Sequence, residues 1–119
     1  MKREEIKIGM DVLYIPRHAK GNKKHKDCEH GLVSSINEVT VFVRYYSNGE
    51  LQGTGKSTDP ETLIKLFPDP MAMIDEMAHI DRMLSHRKNE IAEDNINMLR
   101  NRRKYLHEYS QELRKEWGD

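Results

Sequence analysis

The sequence predicts an α+β fold, in which a small five-stranded β-barrel precedes one long helix or a helical hairpin. Short runs of β-branched and aromatic residues, separated by turn residues, recur up to residue 67, and such runs form the strands of small β domains. Residues 71–117 contain no Gly or Pro and are rich in Ala, Met, Leu, Glu, Arg and Lys, a composition that favours helix. We therefore predict a barrel at 1–67 and a helical assembly arm at 71–117.

The first three strands are predicted from short apolar runs and the turns between them. Residues 12–15 form a β-branched and aromatic run that a proline ends. Residues 32–36 and 40–46 flank a polar Asn37-Glu38 pair, which predicts an antiparallel hairpin. Gly31 stands directly before this hairpin and can supply a backbone geometry that a side chain would block.

The remaining strands follow from one turn motif and one helical-turn motif. Asn48-Gly49 is the strongest hairpin signal in the chain, so residues 51–56 are predicted to return as a fourth strand. In the segment 57–61, Thr58 and Glu61 have capping spacing around a proline, which predicts one short helical or 3₁₀ turn. Residues 63–66 are then the fifth strand.

The helical arm carries a narrow apolar seam. One helix over this range would be roughly 70 Å long at about 1.5 Å per residue, so it must pair with another chain or fold back, and we favour long helices that associate between chains. The segments 85–89 and 94–97 are polar enough for a fold-back. The predicted oligomer interface consists of the residues that recur every seventh position: Met77, Leu84, Ile91, Met98 and Tyr105.

Charge and cysteine content limit the classes of function. Twenty basic and twenty acidic side chains cancel, so any attraction to nucleic acid must be local. Cys28 is the only cysteine, which excludes an intrachain disulfide. No segment has the apolar length of a signal peptide or a membrane span. We expect a cytoplasmic protein without a membrane partner.

A set of short motifs is shared with known proteins: Tyr14-Ile15-Pro16, His18-Ala19, Gly21, His25, Asp27-Cys28-Glu29, Gly31, Val33-Ser34-Ser35, Asn37, Val41-Phe42-Val43-Arg44 and Asp59-Pro60-Glu61-Thr62-Leu63. In these motifs the chain resembles small phage- and prophage-encoded proteins with an SH3-like barrel of the Tudor or KOW kind. The resemblance covers about the first 66 residues. It implies an SH3-like fold and an accessory or host-takeover role.

Residues 17–30 form a predicted surface loop with a basic cluster, which we call the basic loop. Five cations fall within ten residues that contain no acid, a pattern suited to phosphates. Arg44 and Tyr46 on a neighbouring strand would add a guanidinium and a stacking ring. The alternative is a merely solvated loop. The predicted nucleic-acid or partner-binding residues are Arg17, His18, Lys20, Lys23, Lys24, Lys26, Arg44 and Tyr46.

The same loop contains potential metal ligands. Asp27 or Glu29 could substitute for one of them or support the others. Their spacing matches no standard zinc finger or knuckle, so we predict that the protein has no metal or other cofactor. We expect these polar groups to hold the loop by hydrogen bonds to the backbone, with Asp27 and Glu29 accepting from amides around Gly31. The alternative zinc-ligand set is His18, His25, Cys28 and His30.

The sequence as a whole predicts a non-enzymatic binding protein. The first hypothesis is that the barrel contacts nucleic acid, or a host protein associated with nucleic acid, in a homo-oligomeric assembly. The second is inhibition or scaffolding by protein contact alone through the helices, for example as an anti-defence factor. The third is a metal-dependent hydrolase built around the histidines of the basic loop.

Overall fold

The computed structural model describes residues 1–85 and 93–116. The chain divides into two compact units, Met1–Phe67 and Pro68–Asp119. The first unit is an open antiparallel sheet of six strands, and the second contains a pair of helices. The α+β class predicted from the sequence is confirmed.

The sheet has the order β4-β3-β2-β1-β6, and β5 also pairs with β3. Because β2 pairs with one edge of β3, the two short strands β4 and β5 share its other edge. The strands are β1 (Asp11–Tyr14), β2 (Glu29–Ile36), β3 (Val41–Ser47), β4 (Glu50–Leu51), β5 (Lys56–Thr58) and β6 (Leu63–Lys65).

The predicted count of five strands is wrong by one, because the predicted fourth strand is interrupted. Residues 52–55 leave the ladder between β4 and β5. At Gly55 the backbone passes so close to β2 that a Cβ atom would lie 2.7 Å from Ser34 Oγ. Within the fully described first unit, β6 pairs only with β1. The predicted closed barrel is therefore not observed.

The turns of the sheet form where the sequence predicted them. Asn48 and Gly49 both have positive φ, 52° and 79°, and they join the paired residues Ser47 and Glu50, as a two-residue hairpin requires. In the turn after β2, Asn37 Oδ1 accepts hydrogen bonds from two backbone amides.

The core of the first unit is built on β1, β2 and β3, and Gly31 sits within it. Gly31 is opposite Val12 on β1 and Tyr45 on β3. A Cβ atom at Gly31 would lie 2.5 Å from Val43 Cγ1 and 2.8 Å from the Arg44 carbonyl oxygen. Close neighbours therefore exclude a side chain here, and not the special backbone geometry expected from the sequence, since the φ angle of Gly31 is not positive. The buried apolar residues of this unit include Ile6, Met10, Val12, Leu32, Val33, Val41, Val43, Tyr45 and Leu63.

A 3₁₀ turn at Pro60–Thr62 leads into β6, as predicted, but its cap differs from the prediction. The Asp59 side chain accepts a hydrogen bond of 3.0 Å from the Glu61 amide. Thr58 belongs to β5, where its hydroxyl bonds the Tyr45 hydroxyl at 2.8 Å. Asp59 takes the capping role because it directly precedes the helical turn, whereas Thr58 is still held in the sheet.

The second unit contains α1 (Pro70–Ser85) and α2 (Glu93–Glu116). Arg102 on α2 forms a two-pronged ion pair with Glu76 on α1, at 2.6 and 3.0 Å. The two residues lie equally far from the connection, as in an antiparallel helical hairpin. One continuous long helix, the arrangement favoured from the sequence, is therefore not observed. Helix α1 ends at Ser85, and residues 94–97, the second segment considered for a fold-back, are helical.

Neither of the two helices is long and apolar enough to span a membrane, within the ranges that the structure describes.

Candidate nucleic-acid interface and histidine cluster

The basic loop connects β1 to β2 and is folded into successive tight turns. Each turn is closed by a backbone hydrogen bond between residues three apart. Such a ladder gives the loop a defined shape although almost no apolar side chain supports it. The bonds run from Ala19 to Pro16, Lys20 to Arg17, Asn22 to Ala19, His25 to Asn22 and Cys28 to His25.

The chain reverses direction at the start of the loop. A short 3₁₀ helix, Arg17–Ala19, ends at Lys20, which has a φ of 50°, and Gly21 follows with a φ of 80°. Ala19 is only 6% exposed and is the apolar anchor of this segment. The reversal places His18 near the far end of the loop.

Side chains hold the two ends of the loop together. The Asn22 side chain accepts a hydrogen bond from the Lys24 amide, and the Asn22 carbonyl accepts one from the Cys28 thiol at 3.3 Å. His18 Nε2 lies 2.8 Å from Asp27 Oδ2 and donates to it. Bonds between polar side chains and the backbone hold the loop, as predicted, but the Asp27 carboxylate contacts the His18 ring and not the amides around Gly31.

Four lysines project from this ordered loop into solvent. Their ammonium groups form no ion pair with a carboxylate in the parts of the chain that the structure describes. Arg17 differs, because it pairs with Asp59 at 2.5 Å and is partly neutralised. The local positive charge of the loop therefore comes from Lys20, Lys23, Lys24 and Lys26.

The two predicted strand residues have different environments. Arg44 is only 9% exposed and lies in one row across the sheet with Leu32 and Asp11. Its guanidinium is therefore not presented to a large ligand. Tyr46 instead stacks on His30 with ring centroids 4.8 Å apart, and His30 Nε2 contacts Asp11 Oδ1 at 3.3 Å.

Only two of the four predicted zinc ligands come together. His18 and His25 approach with ring centroids 5.2 Å apart, and the third member of their cluster is Asp27. Cys28 is directed to the Asn22 carbonyl, and His30 is engaged by Tyr46 and Asp11. In the sequence, the spacing of His25 and Asp27 two residues apart could have indicated that Asp27 joins the cluster, since both side chains belong to one turn.

Sequence reasoning missed an open cleft of about 360 Å³. At its base the Tyr45 hydroxyl bonds Thr58, and burial raises the pKa of Tyr45 above its usual value of 10.0 while that hydrogen bond opposes the rise. Cations and carboxylates both line the rim, so the cleft has no single charge preference. Its lining includes Tyr14, Arg17, Glu29, Tyr45, Lys56 and Asp59.

Several residues of the predicted helical seam are contacted or buried within the helix pair itself. Arg103 on α2 donates a hydrogen bond to Met77 Sδ at 3.2 Å, and Tyr105 is buried. Leu84 and Met98 are partly buried. Ile91 lies outside the described residues.

Comparison with known proteins returned no match, whether to a protein-family model, a curated protein or a solved structure.

Proposed function

We propose that this protein is a non-enzymatic, phage-type accessory protein of the cytoplasm that binds nucleic acid, or a nucleic-acid-processing machine, through its basic loop. The observation that carries the proposal is a set of four lysines, on a loop of defined shape, that have no carboxylate partner among the described residues. An ordered loop loses less conformational freedom on binding than a flexible one. Its charges are therefore available for phosphates at low cost.

A second feature favours nucleic acid over other anions. The Tyr46 and His30 rings form a stacked pair on the strands that adjoin the loop, and bases stack on aromatic side chains. Phosphate contacts from the loop and a base contact at this ring pair would together form an interface for single-stranded nucleic acid. Arg44 has no part in it because it is buried.

The proposed fold relationship is to SH3-like barrels, in an open form. The support is the sheet itself, where the first strand lies between the second and the last strands, together with the 3₁₀ turn directly before β6. The kinship with small phage and prophage proteins is part of the same proposal and rests on the motifs named in the sequence analysis.

The test is reversal of two loop charges, in the variant Lys23→Glu/Lys24→Glu. Four phosphate contacts predict that the logarithm of affinity falls with the logarithm of salt concentration with a slope of about −2.8 for single strands or −3.6 for duplex. The variant should bind more than tenfold more weakly, which is about 1.4 kcal/mol or more, and its slope should be about half as steep. Fluorescence anisotropy with labelled oligonucleotides measures both quantities.

A matched control is Lys7→Glu/Lys115→Glu, which makes the same change in net charge at exposed positions outside the loop. This control should bind like the wild type, and both variants should keep the wild-type melting temperature because exposed positions contribute little to stability. If the wild type shows no salt-sensitive binding to any DNA or RNA at about 50 mM salt, the loop does not serve nucleic acid.

The second candidate is a protein-contact role for the helices, in self-association or in occlusion of a partner. It is favoured by Met71 and Ile74, which are 76% and 61% exposed and stand one turn apart on α1. Light scattering at tens of micromolar, roughly the range of a useful assembly, tests self-association. If the chain associates, Met71→Asp/Ile74→Asp should reduce the association and leave oligonucleotide binding unchanged.

A further inference from the structure

We infer that His18, His25 and Asp27 form a binding site for a divalent transition-metal ion such as Zn²⁺. One ligand atom from each side chain can be chosen so that no two are more than 4.8 Å apart. Asp27 Oδ2 is central, at 2.8 Å from His18 Nε2 and 3.8 Å from His25 Nδ1. Two imidazoles and one carboxylate are a donor set that zinc prefers.

The spacing fits such an ion after small side-chain rotations. Ligand atoms about 2.0–2.1 Å from a tetrahedral ion lie roughly 3.3 Å from one another. The shorter His18–Asp27 distance must therefore open by about half an ångström, and the His25–Asp27 distance must close by a similar amount. The third pair of ligand atoms, at most 4.8 Å apart, must close by up to about 1.5 Å. Rotations of the His18 and His25 side chains, which lie at the surface of the loop, suffice for changes of this size.

The backbone already holds the three residues in place. His18 belongs to the 3₁₀ helix anchored by buried Ala19. His25 and Asp27 share the turn closed by the bond from the Cys28 amide to the His25 carbonyl, and the His25 amide also closes the preceding turn by its bond to the Asn22 carbonyl. The metal would thus select among side-chain positions and would not have to fold the loop.

Binding the ion exchanges existing contacts for coordination bonds. The His18–Asp27 hydrogen bond is replaced, and the Asp27 amide gives up its 3.1 Å bond to His25 Nδ1. Three protein ligands leave at least one coordination position to water or to an external anion. The four lysines of the loop lie between His18 and Asp27 along the chain, and their positive charge favours an anion as the external ligand.

The experiment uses untagged, full-length protein treated with a chelator and then titrated with Zn²⁺ in a calorimeter, without nucleic acid. We expect one ion per chain. Asp27→Asn and His18→Gln should each weaken binding by more than tenfold. Asp27→Asn retains an oxygen that can accept the His18 hydrogen bond, so loss of binding in this variant reports lost ligand charge and not a lost loop contact.

Three control variants separate this site from the set suggested by sequence spacing. Cys28→Ser, His30→Gln and the distant His107→Gln should bind Zn²⁺ like the wild type, and the Co²⁺-loaded protein should lack a thiolate-to-metal absorption band. The inference is overturned if the wild type binds no stoichiometric Zn²⁺, if Asp27→Asn binds like the wild type, or if Cys28→Ser or His30→Gln loses the metal.

Discussion

Replacing Gly31 by alanine tests the packing of β2 against β3, directly after the basic loop. The new methyl group would lie 2.5 Å from Val43 Cγ1 and 2.8 Å from the Arg44 carbonyl oxygen. Carbon atoms in favourable contact are about 3.5–4.0 Å apart, so the overlap with Val43 is at least about 1 Å. Val43 is completely buried, and the carbonyl belongs to the backbone of the central strand β3.

Neither neighbour can yield without moving the sheet, so the clash should cost about 1–3 kcal/mol, as overpacking in cores does. Alanine also restricts the unfolded chain, which offsets about 0.4–1 kcal/mol. We expect Gly31→Ala to lower the free energy of unfolding of the sheet unit by about 1–2 kcal/mol. For a unit of this size, each kcal/mol shifts the melting temperature by about 4–8 °C.

Gly53→Ala is the matched control. It lies in the same sheet unit, its φ is not positive, and nothing comes within 4 Å of the added methyl group. It should therefore leave stability unchanged or raise it by up to about 1 kcal/mol. Urea titrations followed by NMR amide signals of β2 and β3 report on the sheet without interference from the helices. The packing argument fails if Gly31→Ala is as stable as the wild type, or if both variants lose equal stability.

Two further predictions concern other parts of the molecule. Glu76→Ala removes the two-pronged partner of Arg102, whose side chain is 6% exposed while that of Glu76 is 38% exposed, so we expect the helix pair to lose about 1–3 kcal/mol of unfolding free energy in thermal melts. Asp81→Ala breaks the more exposed pair with Arg103 and should cost less than about 1 kcal/mol. Equal effects of the two variants would contradict this ranking. Because burial raises the pKa of Tyr45 in the folded protein, the stability linked to its neutral form is complete below pH 10.0 and is lost as the pH rises through the higher folded value. Tyr45→Phe should reduce the loss of stability at alkaline pH, measured in thermal melts from neutral pH to above pH 10.0. At neutral pH the variant should be less stable by about 0.5–1.5 kcal/mol because its hydrogen bond to Thr58 is lost. If the variant loses as much stability at alkaline pH as the wild type, Tyr45 is not the group responsible.

Short sequence motifs correctly predicted those turns whose conformation depends on neighbouring residues alone. Asn48-Gly49 specifies a two-residue turn because both positions need positive φ, and the proline-led segment at 60–62 forms its 3₁₀ turn directly before the last strand. The predicted fourth strand is divided, and just before its second part Gly55 approaches β2 closely. That contact is between distant parts of the chain, and no local pattern encodes it.

The candidate site shows the same limit. A run of lysines without neighbouring acids is visible in the sequence, and so is the exposure of such a loop. The burial of Arg44 could not be predicted, because Arg44 lies beside Leu32 and Asp11, which the pairing of three strands brings together. The pairing of His18 with Asp27 depends on the reversal at Lys20 and Gly21, and the fold-back of the helices depends on contacts such as Glu76 with Arg102.

An open sheet has two outer strands, and here both edges are too short for another chain to extend the sheet. One edge consists of β6, three residues long with Lys65 at its end. The other is divided between β4 and β5, two and three residues long, with an interruption at 52–55. Short, charged and interrupted edges discourage strand addition and the aggregation that follows from it. A partner of this unit would then be recognised through side chains rather than through the backbone ladder, and in the proposed interface these side chains are the lysines and the stacked rings.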